Sequence, residues 1–436
     1  MKQDFIYNIL AIVVCITCMC LQYKTNKTRI KRVRPVQVQN VVWLVGFLIY
    51  LLNVVPYYPI DGTVYFAAMA YLVAYNLVFL ISPIEETQGQ SGEIEFNSDR
   101  QRKKVITASI LCWIVSIPIL KKTIPILLMY GPSQGMNALR YRTYGEYSIF
   151  STPELMLVDY IIRPVMVATI LLMAEEISNK KFKYQLIIVS ILDALWLVLA
   201  TAGRSLFVTI ILYVFWAVVI KNGFNIKKVL SGYKRYIVPC SVLLIFIVQI
   251  ISKRINRDNG LIIEGTIYYF SGLPYLSALI KNGTSQSWTL FGKATFSSII
   301  DIPIVFLRTL GVIGHDFLTG QQTMSGQAKD FLFVGYEIQT NATASTLFPF
   351  YLDFGIVGTF LGGLLLGCFA HYVERNYTNK RDCLSLGQYI FMLSFSMTTI
   401  QNYPLTGIPF IMKWIFIYLN GYPLNTPQVR SLHQSS

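Results

Sequence analysis

Arg204 lies in Thr201-Ala202-Gly203-Arg204-Ser205, a turn with almost no loop between two apolar runs. Two rigid helices entering and leaving that turn would hold the guanidinium at a membrane surface. There its planar fork suits bidentate contact with a lipid pyrophosphate. The plainer reading is an arginine that anchors the helices to lipid headgroups. Arg140 and Arg142 (Leu139-Arg140-Tyr141-Arg142) and Arg254 and Arg257 (Lys253-Arg254-Ile255-Asn256-Arg257) add cations on the same expected side. Tyr268, Tyr269, Phe270, Tyr275 and Trp288 supply rings that can stack on sugar faces, although such residues also populate any membrane interface.

Ionisable residues inside apolar runs are costly and usually face protein or a watery cavity. Asp159 and Arg163 stand four apart on one helix face, the spacing of an internal salt bridge. Asp193, mid-run, is expected to pair with a cation on another helix, and Lys413 to snorkel outward from the last run. Asp353, in Phe348-Pro349-Phe350-Tyr351-Leu352-Asp353-Phe354-Gly355, falls roughly 10 Å below the start of its run at the helical rise. The glycines after it, Gly355, Gly358, Gly362, Gly363 and Gly367, allow close helix contact. Three histidines, His315, His371 and His433, offer no metal cluster, and no metal or other cofactor is expected. Cys15 and Cys18 have C-x-x-C spacing inside an apolar run, with no second pair or histidine beside them, and read as buried structural thiols.

The elements that position these residues are membrane helices. Of 436 residues, 54% are hydrophobic and 14% charged, against about 25% charged in a soluble domain. The mean hydropathy is +0.51. The net charge of +15 comes from basic clusters between apolar runs, such as residues 24–34, which is the pattern of cytoplasmic loops and not of a nucleic-acid face. Runs of about 20 apolar residues cross a bilayer as helices. They predict an all-α polytopic bundle of about eleven spans: 5–23, 36–55, 63–82, 105–120, 154–174, 184–200, 205–220, 237–252, 346–372, 384–401 and 408–424. The first is expected to remain as an uncleaved span because a basic segment follows it. With loop 24–35 cytoplasmic, 22 of the 37 Lys and Arg fall in cytoplasmic segments, about threefold denser than outside. The N-terminus is then outside and the C-terminus cytoplasmic. The chain reads as a single membrane domain, 1–436, with two sizeable extracytoplasmic loops, 121–153 and 253–345. Within the second, Ser297 to Ile313 is apolar but carries Asp301, Pro303 and Arg308, and reads as an interfacial or re-entrant helix.

No G-x-x-x-x-G-K-[ST], H-E-x-x-H or G-x-S-x-G motif occurs. Three stretches, in order along most of the chain, resemble the Wzy-type O-antigen and oligosaccharide repeat-unit polymerases of bacterial membranes. They are Ala202-Gly203-Arg204-Ser205, Tyr268-Tyr269-Phe270-Ser271-Gly272-Leu273-Pro274, and Asn341 to Gly355. The resemblance implies a metal-independent glycosyltransferase of the GT-C kind in the bacterial cytoplasmic membrane. It would transfer a glycan from undecaprenyl pyrophosphate to an incoming lipid-linked repeat unit, for O-antigen, capsule or exopolysaccharide. A flippase and a chain-length regulator would be its partners. Arg204 matches the arginine that the family places there, with Arg140, Arg142, Arg254 or Arg257 as a second phosphate contact. Glu337, Asp353, Asp316 and His315 are the candidate general bases. A loop histidine also keeps the O-antigen ligase type of glycan transferase in view through His315. From another class, a lipid-linked oligosaccharide flippase would show Asp159, Arg163 and Asp193 too, but short loops and similar halves.

Overall fold

The computed structural model describes residues 2–26, 32–84, 98–144, 148–178, 184–201, 205–223, 260–314, 316–328, 331–340, 344–403 and 405–421. Helices dominate: α1 (Lys2–Asn26), α2 (Pro35–Leu51), α3 (Gly62–Ile81), α4 (Ser98–Val115), α5 (Ile117–Tyr144) and α6 (Thr152–Leu157). A π-helical turn, Val158–Ile162, leads into α7 (Arg163–Ser178), followed by α8 (Tyr184–Thr201) and α9 (Ser205–Asn222). The long loop contains α10 (Gly260–Phe270), α11 (Gly272–Lys281), α12 (Ser297–Thr309), α13 (Gly320–Gln327) and an antiparallel hairpin, β1 (Leu332–Gly335) with β2 (Ile338–Thr340). The chain closes through α14 (Leu347–Lys380), α15 (Cys383–Thr398) and α16 (Gly407–Gly421).

Local chemistry sets these ends. Asp61 accepts from Thr63 N at 2.8 Å to start α3, and Asp382 accepts from Ser385 N at 2.8 Å to start α15. Pro35, whose missing N–H costs nothing at the first helical turn, opens α2. The exposed surface identifies the solvent. α1 packs one face inward through Ala11, Cys15 and Cys18, yet turns Phe5, Ile9, Val13 and Ile16 outward. A water-facing helix would be polar there, so this face belongs in lipid. Cys15 and Cys18 are buried free thiols, as expected.

The chain is a helical protein with multiple candidate membrane spans. Among the described residues, five helices are long and apolar enough to cross, and a sixth span is formed if the pair Gln101–Val115 and Ile117–Tyr130, bent by 62°, counts as one. Four more expected spans appear as apolar helices of 17 residues or fewer, and 237–252 lies outside the described residues. The expected span 105–120 is therefore a broken one, bent where Pro118 cannot donate to the preceding turn. The expected loop 121–153 is largely helical. Lys121 and Lys122 read as a span end, but the helix continues past them and Lys122 pairs with Glu154 at 2.7 Å.

The basic segments meet at one end of the bundle. Arg34 bonds Glu374, Arg102 bonds Glu176 at 2.8 Å, and Lys104 donates to the Leu419 carbonyl at 2.7 Å. At the other end the short turn 56–62 meets the long loop. Tyr58 N donates to Val334 O at 2.8 Å, Tyr336 N to Pro56 O at 3.2 Å, and Asp61 N to the Ser277 hydroxyl at 2.8 Å.

The largest departure is in α14. Phe354 (φ −145°, ψ 25°) and Gly355 (φ 59°, ψ −142°) break it, and only glycine tolerates the second conformation freely. Residues 347–353 double back along the span that follows. A β-carbon on Gly358 would fall 2.1 Å from the Phe350 carbonyl oxygen, and one on Gly362 2.3 Å from its ring. Beyond the break, Gly363 and Gly367 let the span press against α3, with virtual β-carbons 2.4 Å from Tyr71 O and 2.9 Å from Tyr75 O. These two glycines serve the close contact expected of them.

Candidate functional site

Three interruptions of helix meet inside the long-loop end of the bundle. They are Ser271 between α10 and α11, Ala344–Thr346 before the doubled-back segment, and Thr399–Tyr403 after α15. Gly272 is the contact point: a β-carbon there would lie 2.2 Å from Ile400 O, 3.1 Å from Ser345 N and 3.2 Å from Gln401 O. Thr346 N donates to Thr399 O at 2.9 Å, Gln401 Nε2 to Tyr268 O at 3.3 Å, and Tyr50 OH to Phe270 O at 2.5 Å. Tyr269 OH donates to Met397 O, and Trp43 Nε1 to the Thr399 hydroxyl at 3.0 Å. Irregular backbone within an apolar bundle is tolerated where protein or a cavity satisfies it, and such breaks are where membrane proteins place polar ligands. The junction joins two of the three stretches that carry the resemblance, Tyr268–Pro274 and 341–355.

Asp353 stands just above this junction, at the break in α14. It is fully buried, and its two carboxylate oxygens accept from Ala294 N at 3.2 Å and Thr295 N at 2.7 Å. Tyr403 OH donates to Thr295 O at 3.2 Å, tying the same segment to the start of α16. The carboxylate therefore pins the long loop to the helix break. Around it Trp288 and Phe291, about half and two-thirds exposed, hold left-handed backbone (φ 62° and 45°) and pack edge-on against Phe354 at 5.5 and 6.4 Å. Such strain in non-glycine residues gathers at functional sites.

The remaining expected residues are more scattered. Glu337 is exposed in the turn of the β1–β2 hairpin at φ 60°, and Asp316 is exposed before α13. Arg142 is exposed with its guanidinium 6.0 Å from the Tyr130 ring centroid. Arg140 lies on α5, but its side chain, together with Arg204, Arg254, Arg257 and His315, falls outside the described residues. Asp159 and Arg163 form the expected pair at 3.0 Å, across the π-helical turn. Lys413 is near enough to feel both charges. Asp193 differs from expectation. Its partners are neutral, Trp113 Nε1 at 2.8 Å and the Ser109 hydroxyl at 3.1 Å, with no cation in salt-bridge range among the described residues. Its run is paired on that face with polar side chains of α4, a contact that spacing along one helix does not reveal.

The segment Ser297–Ile313 contains the expected helix, α12. Ile299, Ile302, Phe306 and Leu310 form its exposed stripe, while Asp301 is buried on the opposite face. Asp301 accepts from Gly320 N at 2.7 Å and Gln321 N at 3.0 Å, starting α13. Burial raises its carboxyl pKa against the lowering pull of those two N–H groups. Asp301→Asn keeps one acceptor oxygen and loses the other. Hydrogen exchange at Gly320–Thr323 is expected to quicken about tenfold, the equivalent of one lost charged hydrogen bond at about 1.5 kcal/mol. Unchanged exchange would remove Asp301 as the cap.

No family model, no curated protein and no solved structure matches the chain.

Proposed function

We propose that this chain is a polymerase of lipid-linked glycans, acting on the outer face of a bacterial cytoplasmic membrane. The observation that supports the reading is the Gly272 contact, which seats the Tyr268–Pro274 stretch on Ser345 of the 341–355 stretch. Two motifs about 70 residues apart in sequence thereby form one structure at the end away from the basic loops. On this reading the N-terminus is outside and the C-terminus cytoplasmic. The long loop, with its aromatic surface at Trp288 and Phe291, faces the lipid-linked sugars, and the GT-C-like bundle holds the polyprenyl chain.

The reaction breaks the bond between the donor's anomeric carbon and its pyrophosphate oxygen. It makes a glycosidic bond to an acceptor hydroxyl, whose proton passes to a base, and undecaprenyl pyrophosphate leaves. Cationic stabilisation of that leaving group is the main demand on the protein. Arg204 is assigned to it, with Arg140, Arg142, Arg254 or Arg257 as the second contact. The base comes from Glu337, Asp316 or His315, since both oxygens of Asp353 are already held by main-chain N–H groups. Membranes containing the protein, incubated with purified lipid-linked repeat units, are expected to yield a ladder of product lengths. Arg204→Ala is expected to abolish it, a loss of 10²-fold or more, about 2.7 kcal/mol of transition-state stabilisation.

A lipid-linked oligosaccharide flippase is the second reading, favoured by the broken helices at 115–117 and 354–355. Transbilayer movement of intact units without any ladder would select it and sink the polymerase.

A further inference from the structure

One group of charges in the bundle is not neutralised from within. Asp159 and Arg163 lie in Thr152–Ile177, one of the helices long and apolar enough to cross a membrane. They pair at 3.0 Å across the π-helical turn. From α16, the Lys413 ammonium comes close enough to feel both charges. Asp159 stands seven residues past Thr152 and Lys413 six past Gly407. Both therefore lie about 10 Å along their helices at the helical rise. Among the described residues, two cations share one carboxylate here. Arg163 takes it, and Lys413 makes no hydrogen bond or salt bridge.

An ammonium carries three donors and no acceptor, and within a membrane it calls for a counter-charge. Lys413 is half-buried. Snorkelling would take it toward the long-loop end, where α12 meets both elements. Gly407 N donates to the Ser297 hydroxyl at 3.3 Å, and Tyr160 lies within electrostatic reach of Asp301 and Arg308. The cluster is nevertheless open, because the side chains of Asp159 and Arg163 are 26% and 23% exposed. An opening on the flank of a span meets lipid, so what fills it must bring negative charge on an apolar molecule. A lipid phosphate has both, and lysine and arginine bind phosphate through charge-assisted hydrogen bonds. π-helical turns of this kind gather at functional sites.

We propose that Lys413 and Arg163 form a binding site for the phosphate of a membrane lipid, entered between the π-helical turn and α16, with Asp159 holding Arg163 in position. The site uses none of the arginines assigned to the leaving pyrophosphate, and it does not depend on the reaction the protein performs. Glycerophospholipids and polyprenyl phosphates both carry the group it recognises.

Native mass spectrometry of the full-length protein in detergent tests it, with phosphatidylglycerol, undecaprenyl phosphate and phosphate-free diacylglycerol titrated separately. The unaltered protein is expected to retain a phosphate lipid more tightly than diacylglycerol. Lys413→Met keeps an apolar stem and removes the charge. It is expected to weaken that retention about tenfold, as the loss of one charged hydrogen bond would, and to leave diacylglycerol unchanged. A loss confined to undecaprenyl phosphate identifies a polyprenyl carrier, and one confined to phosphatidylglycerol identifies a phospholipid. A loss of both identifies lipid phosphate in general. Lys413→Arg is expected to bind as the unaltered protein does. Lys281→Met, at an exposed cation of the long loop, is the control for overall charge. An equal loss in Lys281→Met overturns the site, as does full retention of both phosphate lipids by Lys413→Met. So does unaltered protein that holds phosphate lipids no better than diacylglycerol, an outcome that needs no variant to fold.

Discussion

Asp353→Ala is expected to unfold the long-loop end of the molecule at a markedly lower temperature, at a cost of about 3–5 kcal/mol. The figure follows from two buried main-chain donors, Ala294 N and Thr295 N, left without acceptors at about 1–3 kcal/mol each. Asp353→Asn keeps one acceptor oxygen and is expected to cost less than half as much. The comparison separates structure from chemistry. A pin loses stability in proportion to lost hydrogen bonds, whereas a general base would lose product formation in Asp353→Asn with the melting curve unmoved. Fluorescence-detected thermal unfolding in detergent, run beside the product-ladder assay on both variants, reads the difference.

The second large effect is expected at the opposite end. Glu374→Ala leaves the Arg34 guanidinium, 1% exposed, without its carboxylate, and breaking a buried pair from one side costs about 3–5 kcal/mol. The environment deepens the loss. Arg32 lies 5.1 Å from the Tyr377 ring centroid and 5.5 Å from that of Tyr389, and it donates to the Thr378 hydroxyl, so a second cation already occupies this region. Replacing both members, as Arg34→Met with Glu374→Leu, is expected to recover most of the stability, because two apolar side chains carry no desolvation penalty. A double variant as unstable as Glu374→Ala would mean that the pair itself, and not the orphaned charge, sustains the fold.

Apolar run length made the helices legible, because lipid imposes hydrophobicity on the exposed face as packing does on the buried one. α3, α8 and α15 begin within a residue of their expected starts for that reason. The glycines Gly363 and Gly367 were also legible, since their four-residue spacing is the signature of a close helix contact. The break at Gly355 was not. Asp353 looked like a residue roughly 10 Å down a continuous helix, and nothing local distinguishes a glycine that serves close packing from one that bends the chain. Gly272 escaped for a different reason: its partners, Ser345 and Ile400, are distant in sequence. Glu374 escaped because it falls just past the expected end of its span at 372, and its partner Arg34 is 340 residues away in sequence. Lys121 and Lys122 misled in the reverse direction, ending a helix on paper that continues in fact.

The close approach at Gly272 bears on how this protein can be re-engineered or can diverge. A loop that merely sat on the membrane would behave as an interchangeable cassette, and a graft at residues 253 and 345 would carry specificity from one protein to another. Here the loop is keyed into the helical scaffold at Gly272, with no room for even a methyl group against Ile400 and Ser345. Loop and bundle therefore form a single unit of inheritance. Chimaeras should be cut so that 268–274, 344–355 and 397–403 come from the same parent.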